Sequence, residues 1–406
     1  MPHRVRHLLW ILAGLSSAAM AFEDDRYQFF SGIGYTYDNN VFRVPRSGVT
    51  PPKKDIIRNA YVGVGLNLPV SLQRFVVNAR VNQTHFRDLD GLDYNGRSLA
   101  ATWLWQVGSD WSGRLGYSNS RTASDFSNVL GTTQNLRTQS QINFDANLML
   151  DTRHRLEMGV NQSKSTNSVQ ANQANDYTDD QLYFGIQYIS SANNFYGLRL
   201  SYDDQKLPNP TRFNTFAIVN GQLLTIPHSV DNSHEQYGLD FNYSWAFNGV
   251  SKIFGRFGFE ERKYNNFTDR DYTGFAWSLS YDWTPNDKSA VLFNIRREVD
   301  GLNDFAANYA LVQSISVKPR WIWSSKLNFM WNFEYSRLEF RGDPNIANIP
   351  ESDRKDKIKN YGMSIGYTPA ASTTMSFSVS RSQRSSNVSG IGFEDTLYGG
   401  NLDFKF

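Results

Sequence analysis

From Tyr27 to the last residue, apolar and polar side chains alternate in segments of about ten residues separated by turn residues. Between Tyr237 and Phe247, the side chains of Tyr237, Leu239, Phe241, Tyr243, Trp245 and Phe247 share one face, while Gly238, Asp240, Asn242 and Ser244 share the other. The same period recurs over 142–150, 275–283 and 327–335. A period of two is the signature of a β-strand. Short connections fall near 69–72, 108–110, 152–153, 191–193, 248–250, 285–287, 324–325 and 369–371. Longer polar stretches separate them near 38–56, 88–93, 122–135, 165–180, 206–233, 265–271, 300–307, 341–356 and 386–394. Eight tight turns alternating with nine loops predict an all-β chain: a transmembrane antiparallel β-barrel of about 18 strands, both termini periplasmic.

A soluble sandwich shares the alternation but has no reason to sort aromatic residues by strand end. Here Trp105, Trp111, Trp245, Trp283, Trp321 and Trp323 sit beside short turns on the apolar parity, and Tyr37, Tyr117, Tyr202, Tyr237, Tyr309, Tyr335 and Tyr361 lie toward the long loops. Such a distribution predicts the two aromatic girdles of a barrel. The final stretch from Tyr398 to Phe406 alternates and ends on an aromatic, resembling the C-terminal strand that bacterial barrel-assembly machinery recognises.

Composition narrows the class further. Aromatics make up 15% of the 406 residues, yet after the first 21 there is no apolar run of the roughly 18 residues a spanning helix needs, so a polytopic helical protein is ruled out. Zero Cys excludes a disulfide-stapled scaffold and thiolate metal sites. Residues 1–21 have the order of a secretory signal: Arg4 and Arg6, an apolar stretch from Leu8 to Leu15, then Ala19-Met20-Ala21. Residues 22–406 are then expected to form one barrel domain in the bacterial outer membrane, surrounded by outer-membrane lipid. Without Arg4 and Arg6 the basic count falls to 39 against 39 acidic residues, which argues against nucleic acid as a partner.

With the apolar parity toward lipid, the opposite parity becomes the channel wall. Its basic candidates are Arg80, Arg114, Arg155, Arg199, Arg256, Arg296, Lys318 and Arg320. The acidic ones are Asp145, Glu157, Asp203, Asp240, Glu260, Asp282, Glu298, Glu334 and Asp403. Small residues such as Gly362, Ser364, Gly366, Ser376, Ser378 and Ser380 fill much of the rest. Mixed signs give no strong preference for anions or cations and suit a neutral or mildly charged hydroxylated solute. Opposite charges on neighbouring strands also stabilise a wet barrel interior.

Within the 206–233 loop, two short β-rich runs flank Asn220-Gly221, the preferred type I′ turn. Each run has about five residues, too few for a spanning strand, so a hairpin outside the lipid is expected, carrying Phe216, Ile218, Leu223 and Leu224. It is a candidate constriction. Chemistry is otherwise sparse. His85, His154, His228 and His234 lack metal-site spacing, no nucleophile-elbow, dinucleotide or P-loop motif occurs, and Glu260 and Glu261 point to opposite faces of one strand. Neither an enzyme nor a cofactor is expected.

The stretch Gly34-Tyr-Thr-Tyr-Asp-Asn-Asn-Val-Phe-Arg-Val-Pro45, with Leu92-Asp-Tyr94, Trp103-Leu-Trp105 and Trp111-Ser-Gly-Arg-Leu-Gly-Tyr117, resembles the EpsL family of outer-membrane barrels associated with exopolysaccharide operons. The resemblance covers about the first 120 residues and transfers no catalytic residue. It implies an exporter of nascent polysaccharide, working with a periplasmic or inner-membrane export protein. The alternatives are a diffusion or uptake porin for small solutes, a barrel-embedded hydrolase, and a structural or adhesive barrel.

Overall fold

The computed structural model describes residues 26–46, 48, 50–127, 131–219, 222–265, 271–301, 309–341 and 354–406. Residues 1–21, expected to be a secretory signal, lie outside these residues. The first strands are β1 (Tyr27–Asp38), β2 (Asp55–Val70), β3 (Gln73–Phe86), β4 (Tyr94–Val107), β5 (Trp111–Ala123), β6 (Leu136–Met149) and β7 (His154–Asn167). Next come β8 (Tyr177–Ile189), β9 (Phe195–Lys206), β10 (Thr211–Val219), β11 (Gln222–Val230), β12 (His234–Asn248), β13 (Ser251–Tyr264) and β14 (Tyr272–Asn286). The chain ends with β15 (Ser289–Gly301), β16 (Tyr309–Ile322), β17 (Leu327–Arg341), β18 (Lys355–Ala370), β19 (Thr373–Ser386) and β20 (Phe393–Lys405).

Eighteen strands form one antiparallel sheet that closes on itself, while β10 and β11 pair only with each other and β9 passes directly to β12. Closure runs through β1 and β20, from Phe30 opposite Lys405 to Asp38 opposite Leu397. At the chain end Phe406 N–H donates to Phe29 O at 2.8 Å and Phe29 N–H donates back at 3.1 Å. With each of the eighteen barrel strands hydrogen-bonded to a neighbour on both sides over most of its length, the sheet has no free edge to face hydrocarbon, which is the condition for spanning a bilayer with strands. Tight turns take their special conformations where needed, as at Gly108 with φ +63°.

Burial is inverted relative to a soluble protein. Phe377 is 67% exposed and Leu200 60%, whereas Glu157 and Arg199 are each 3% exposed. Large exposed apolar surface at alternate positions along the barrel strands is stable only against acyl chains. Around the short-turn end Trp111, Trp245, Trp283, Trp321 and Trp323 are exposed on this outer face. Trp105 is half-buried, stacked on Phe144 with ring centroids 5.8 Å apart and lying over Gly113, where a Cβ would strike its ring.

One seam is weaker than its neighbours. Pairing of β14 with β15 stops at Trp277 opposite Arg297, although both strands continue toward the long-loop end. Tyr264, Tyr272, Tyr309 and Leu311 cluster there with Val299. Arg297 also donates to Phe275 O across the seam at 3.1 Å.

Candidate functional site: the channel wall and its mouth

Inward parity brings the predicted charges of β5–β13 into one connected network. Arg114 lies opposite Asp145 in register and donates to it at 2.6 Å. The Tyr183 hydroxyl donates to the other oxygen of that carboxylate at 2.6 Å, reaching across β7 because the intervening residue is Gly159. Arg199 lies 4.3 Å from the Tyr183 ring centroid and pairs with Glu157 at 2.5 Å. That pair also skips a strand, over Gly185, where a Cβ would come within 2.8 Å of the Glu157 carboxylate. Gln187 donates to Glu157 at 2.7 Å and accepts from Arg155 Nε at 3.2 Å.

The network continues into β13. Asp240 stands opposite Arg199, and Arg256 bonds to Asp240 at 3.1 Å and Glu260 at 3.0 Å. Gln181 donates to Asp203 at 2.5 Å. Further round, Arg296 pairs with Glu298 and donates to Ser314 at 2.7 Å. Arg80 lies over the Tyr61 ring at 3.6 Å, and the Tyr61 hydroxyl bonds to Asp403. Glycine placement lets charges meet across a whole strand.

The wall from β16 to β20 differs. Its inward positions are mostly small and neutral: Ser314, Ser316, Asn332, Ser336, Ser364, Ser376, Ser378, Ser380 and Asn401. Glu334 accepts from Ser336 at 3.3 Å, Lys318 is half-buried, Arg320 is exposed near the short-turn end, and Asp282 of β14 faces Lys252 in register. Asn332 Oδ1 and Ser380 Oγ lack a protein hydrogen-bond partner.

At the long-loop end, segments outside the predicted list fold inward. Asn40 N–H donates to Asp38 at 2.8 Å, and the Asn40 amide donates to Val44 O at 2.8 Å and Glu394 O at 3.0 Å. Arg43, in the left-handed region at φ 53°, pairs with Asp38 at 2.9 Å and Asp395 at 3.5 Å. Burial works against its charge, but the carboxylates of Asp38, Asp395 and Asp125 outweigh it and hold the guanidinium above its ordinary pKa. Val41 and Phe42 are buried against Phe86 and Leu92, with Phe126 at the edge. The segment after β5, residues 124–127, then reaches β19: Arg384 donates to Ser127 O at 2.5 Å. Arg384 is itself bound to Asp356 at 2.5 Å, beside Arg354 at 3.0 Å, all three buried.

Because β5 and β19 lie several strands apart around the sheet, this contact carries the loop over the lumen. Sequence reading missed it. Its one signal was the Asp38–Arg43 stretch, whose partners on β20 no local pattern reveals.

The predicted hairpin exists as a two-stranded sheet separate from the barrel, but its strands have nine residues each rather than about five, because the backbone pairing runs on from Val219–Gln222 as far as Thr211 opposite Val230. The side chains of Phe216, Ile218, Leu223 and Leu224, and all of Asn220 and Gly221, lie outside the described residues. His154 bonds to Asp151 at 2.7 Å in an exposed turn, and backbone N–H groups of Arg153 and His154 help hold the Asp151 carboxyl down to about 2. Glu260 faces inward on Arg256, whereas Glu261 faces outward on Lys263. Among the described residues no cluster of His, Asp and Glu could hold a metal ion.

No protein-family model matches the chain, and no curated protein matches it. Among solved structures, it is similar to Pseudomonas aeruginosa OccK2 (OpdF), TM-score 0.52 at 10% identity, over 95% of this chain and 98% of that one. The same protein in complex with glucuronate gives TM-score 0.51 at 10% identity, over 95% and 99%. Acinetobacter baumannii OccAB4 gives 0.50 at 10% identity, again over 95% and 99%. At this identity the likeness establishes the fold.

These findings correct the expected export of polysaccharide. The likeness over whole chains is to outer-membrane barrels of the OccK2 kind, one of them in complex with the single sugar acid glucuronate, and not to an exopolysaccharide family. The chain forms a closed, porin-like β-barrel integral to the outer membrane.

Proposed function

We propose that this barrel is a passive uptake channel for small, water-soluble, hydroxylated solutes that are neutral or weakly charged. The observation that supports this reading is the segment after β5, residues 124–127, tied to β19 through Ser127 and Arg384 at the mouth of a polar lumen. Barrels of about 16 to 18 strands leave an aqueous interior, so a solute crosses in water, exchanging hydrogen bonds with the wall. The Ser and Asn side chains of β16–β20 are the surface available for that exchange. Charges on β5–β13 are largely neutralised by one another and set the shape of the lumen more than its selectivity.

Reconstituted liposomes swelling in monosaccharide through hexasaccharide solutions test the reading. Permeation should fall steeply with chain length and persist for single sugars, and planar bilayers should show stable single-channel steps. A folded, inserted barrel that conducts no ions and passes no monosaccharide would defeat it.

A further inference from the structure

The outer surface is not equally neutral around the barrel. On β9 and β13, outward cations sit beside carboxylates: Lys206 pairs with Asp204 at 2.8 Å and Lys263 with Glu261 at 3.1 Å. Across β1–β6 the outward positions carry Arg58, His85, Arg97 and Arg121 and no Asp or Glu at all. His85 is paired with Asp93 of the adjoining loop. Arg97 and Arg121 stand directly opposite each other on neighbouring strands, both exposed. Like charges in that relation repel and destabilise the pair unless something neutralises them. Among the described residues, neither is ion-paired to a carboxylate.

The same two residues end a groove of about 700 Å³ on this face. Its outward lining includes Ile33, Ala60, Val62 and Val81, and the cross-strand row Val62, Val81, Arg97, Arg121 runs from apolar to basic. Arg97 and Arg121 lie within four residues of the long-loop ends of β4 and β5, and Val62 lies near the middle of β2. Long loops of such barrels face outward, so the basic end stands at the headgroup depth of the outer leaflet and the apolar end among its acyl chains.

We propose that this groove binds one phosphate-bearing lipid of the outer leaflet, with the phosphate clamped between Arg97 and Arg121 and an acyl chain along Val62 and Val81. Two guanidinium groups offer forked donors matched to phosphate oxygens, and partial removal from water strengthens the contact. The bound phosphate removes the repulsion between the two cations and adds lipid contacts to strands β2–β5.

Native mass spectrometry of the full barrel in a neutral detergent, with diphosphoryl lipid A as the probe, tests the proposal. One retained lipid is expected. The double variant Arg97→Gln/Arg121→Gln should lose it, Val62→Trp should weaken it by filling the groove, and Lys206→Gln/Lys263→Gln should leave it unchanged. Heat-modified gel migration checks that each variant is folded, and single substitutions replace the double variant should it fail to fold. Equal retention by the Arg97 and Arg121 variants would overturn the proposal, as would displacement by inorganic phosphate at matched concentration, which would mark a simple anion site. Equal loss in the Lys206 and Lys263 control would reduce the effect to surface charge and overturn it too.

Discussion

The two halves of the inner wall solve the problem of a wet interior in opposite ways. From β5 to β13, large charged side chains are spent on one another: Arg114 with Asp145, Arg199 with Glu157, Arg256 with Asp240 and Glu260. From β16 to β20 the inward positions are mostly short Ser, Asn and Gly side chains, with Lys318, Arg320 and Glu334 as scattered charges among them. A charge buried in a mutual network exerts little field on a passing solute, whereas a charge placed on the small-residue wall would act on it almost undiminished. The comparison therefore predicts that the first half governs stability and the second governs permeation.

The largest effect belongs to the charged half. Glu157→Ala leaves Arg199 buried without its main partner, and breaking a buried pair from one side costs about 3–5 kcal/mol. Urea unfolding of the barrel in lipid micelles measures it. Replacing Glu157 and Arg199 together should recover part of the loss, since no lone charge then remains. Ion selectivity of the folded channel should change little; a large change in selectivity with unaltered stability would break the comparison.

On the opposite wall, Ser378→Arg places an unpartnered cation among Ser364, Ser376 and Ser380. The reversal potential in a salt gradient should shift toward anions, while stability stays within about 0.5 kcal/mol, as for substitutions away from packed features. Releasing the mouth is a separate intervention at this wall. Arg384→Ala removes the bond to Ser127 O and one partner of Asp356, so single-channel conductance should rise and size exclusion in liposome swelling should relax. Unchanged conductance would mean that the loop does not narrow the path.

These regions also differ in how far the sequence disclosed them. Period-two alternation fixes which side chains share a face of a strand, so the strands and the 18-strand barrel they form could be read directly. Which charges meet could not, because Tyr183 reaches Asp145 past Gly159 and Arg199 reaches Glu157 past Gly185. Those contacts depend on register, and register is a property of strand pairs. The mouth was less legible still: Asp38, Arg43 and Asp395 are brought together by closure of the sheet between its first and last strands. An irregular loop has no period to read, and Ser127 carries no mark of a partner on β19.

The smallest expected effect isolates the field of one exposed charge on the small-residue wall. Arg320 is exposed on the inward parity near the short-turn end of β16. Arg320→Gln should move the reversal potential slightly toward cations at 0.01 M salt, where screening extends over about 30 Å. At 1 M the Debye length falls to about 3 Å, and the difference from the parent channel should vanish. Arg256→Gln is the matched substitution on the charged half, where Asp240 and Glu260 would lose their shared cation. Its effect should fall on stability rather than on the reversal potential and should persist at high salt, because carboxylates shielded from water are screened far less than a side chain standing in the stream. If both variants lost their effect equally between the two salt concentrations, the charges of the two walls would be equally exposed to solvent, and the division of labour between them would not hold.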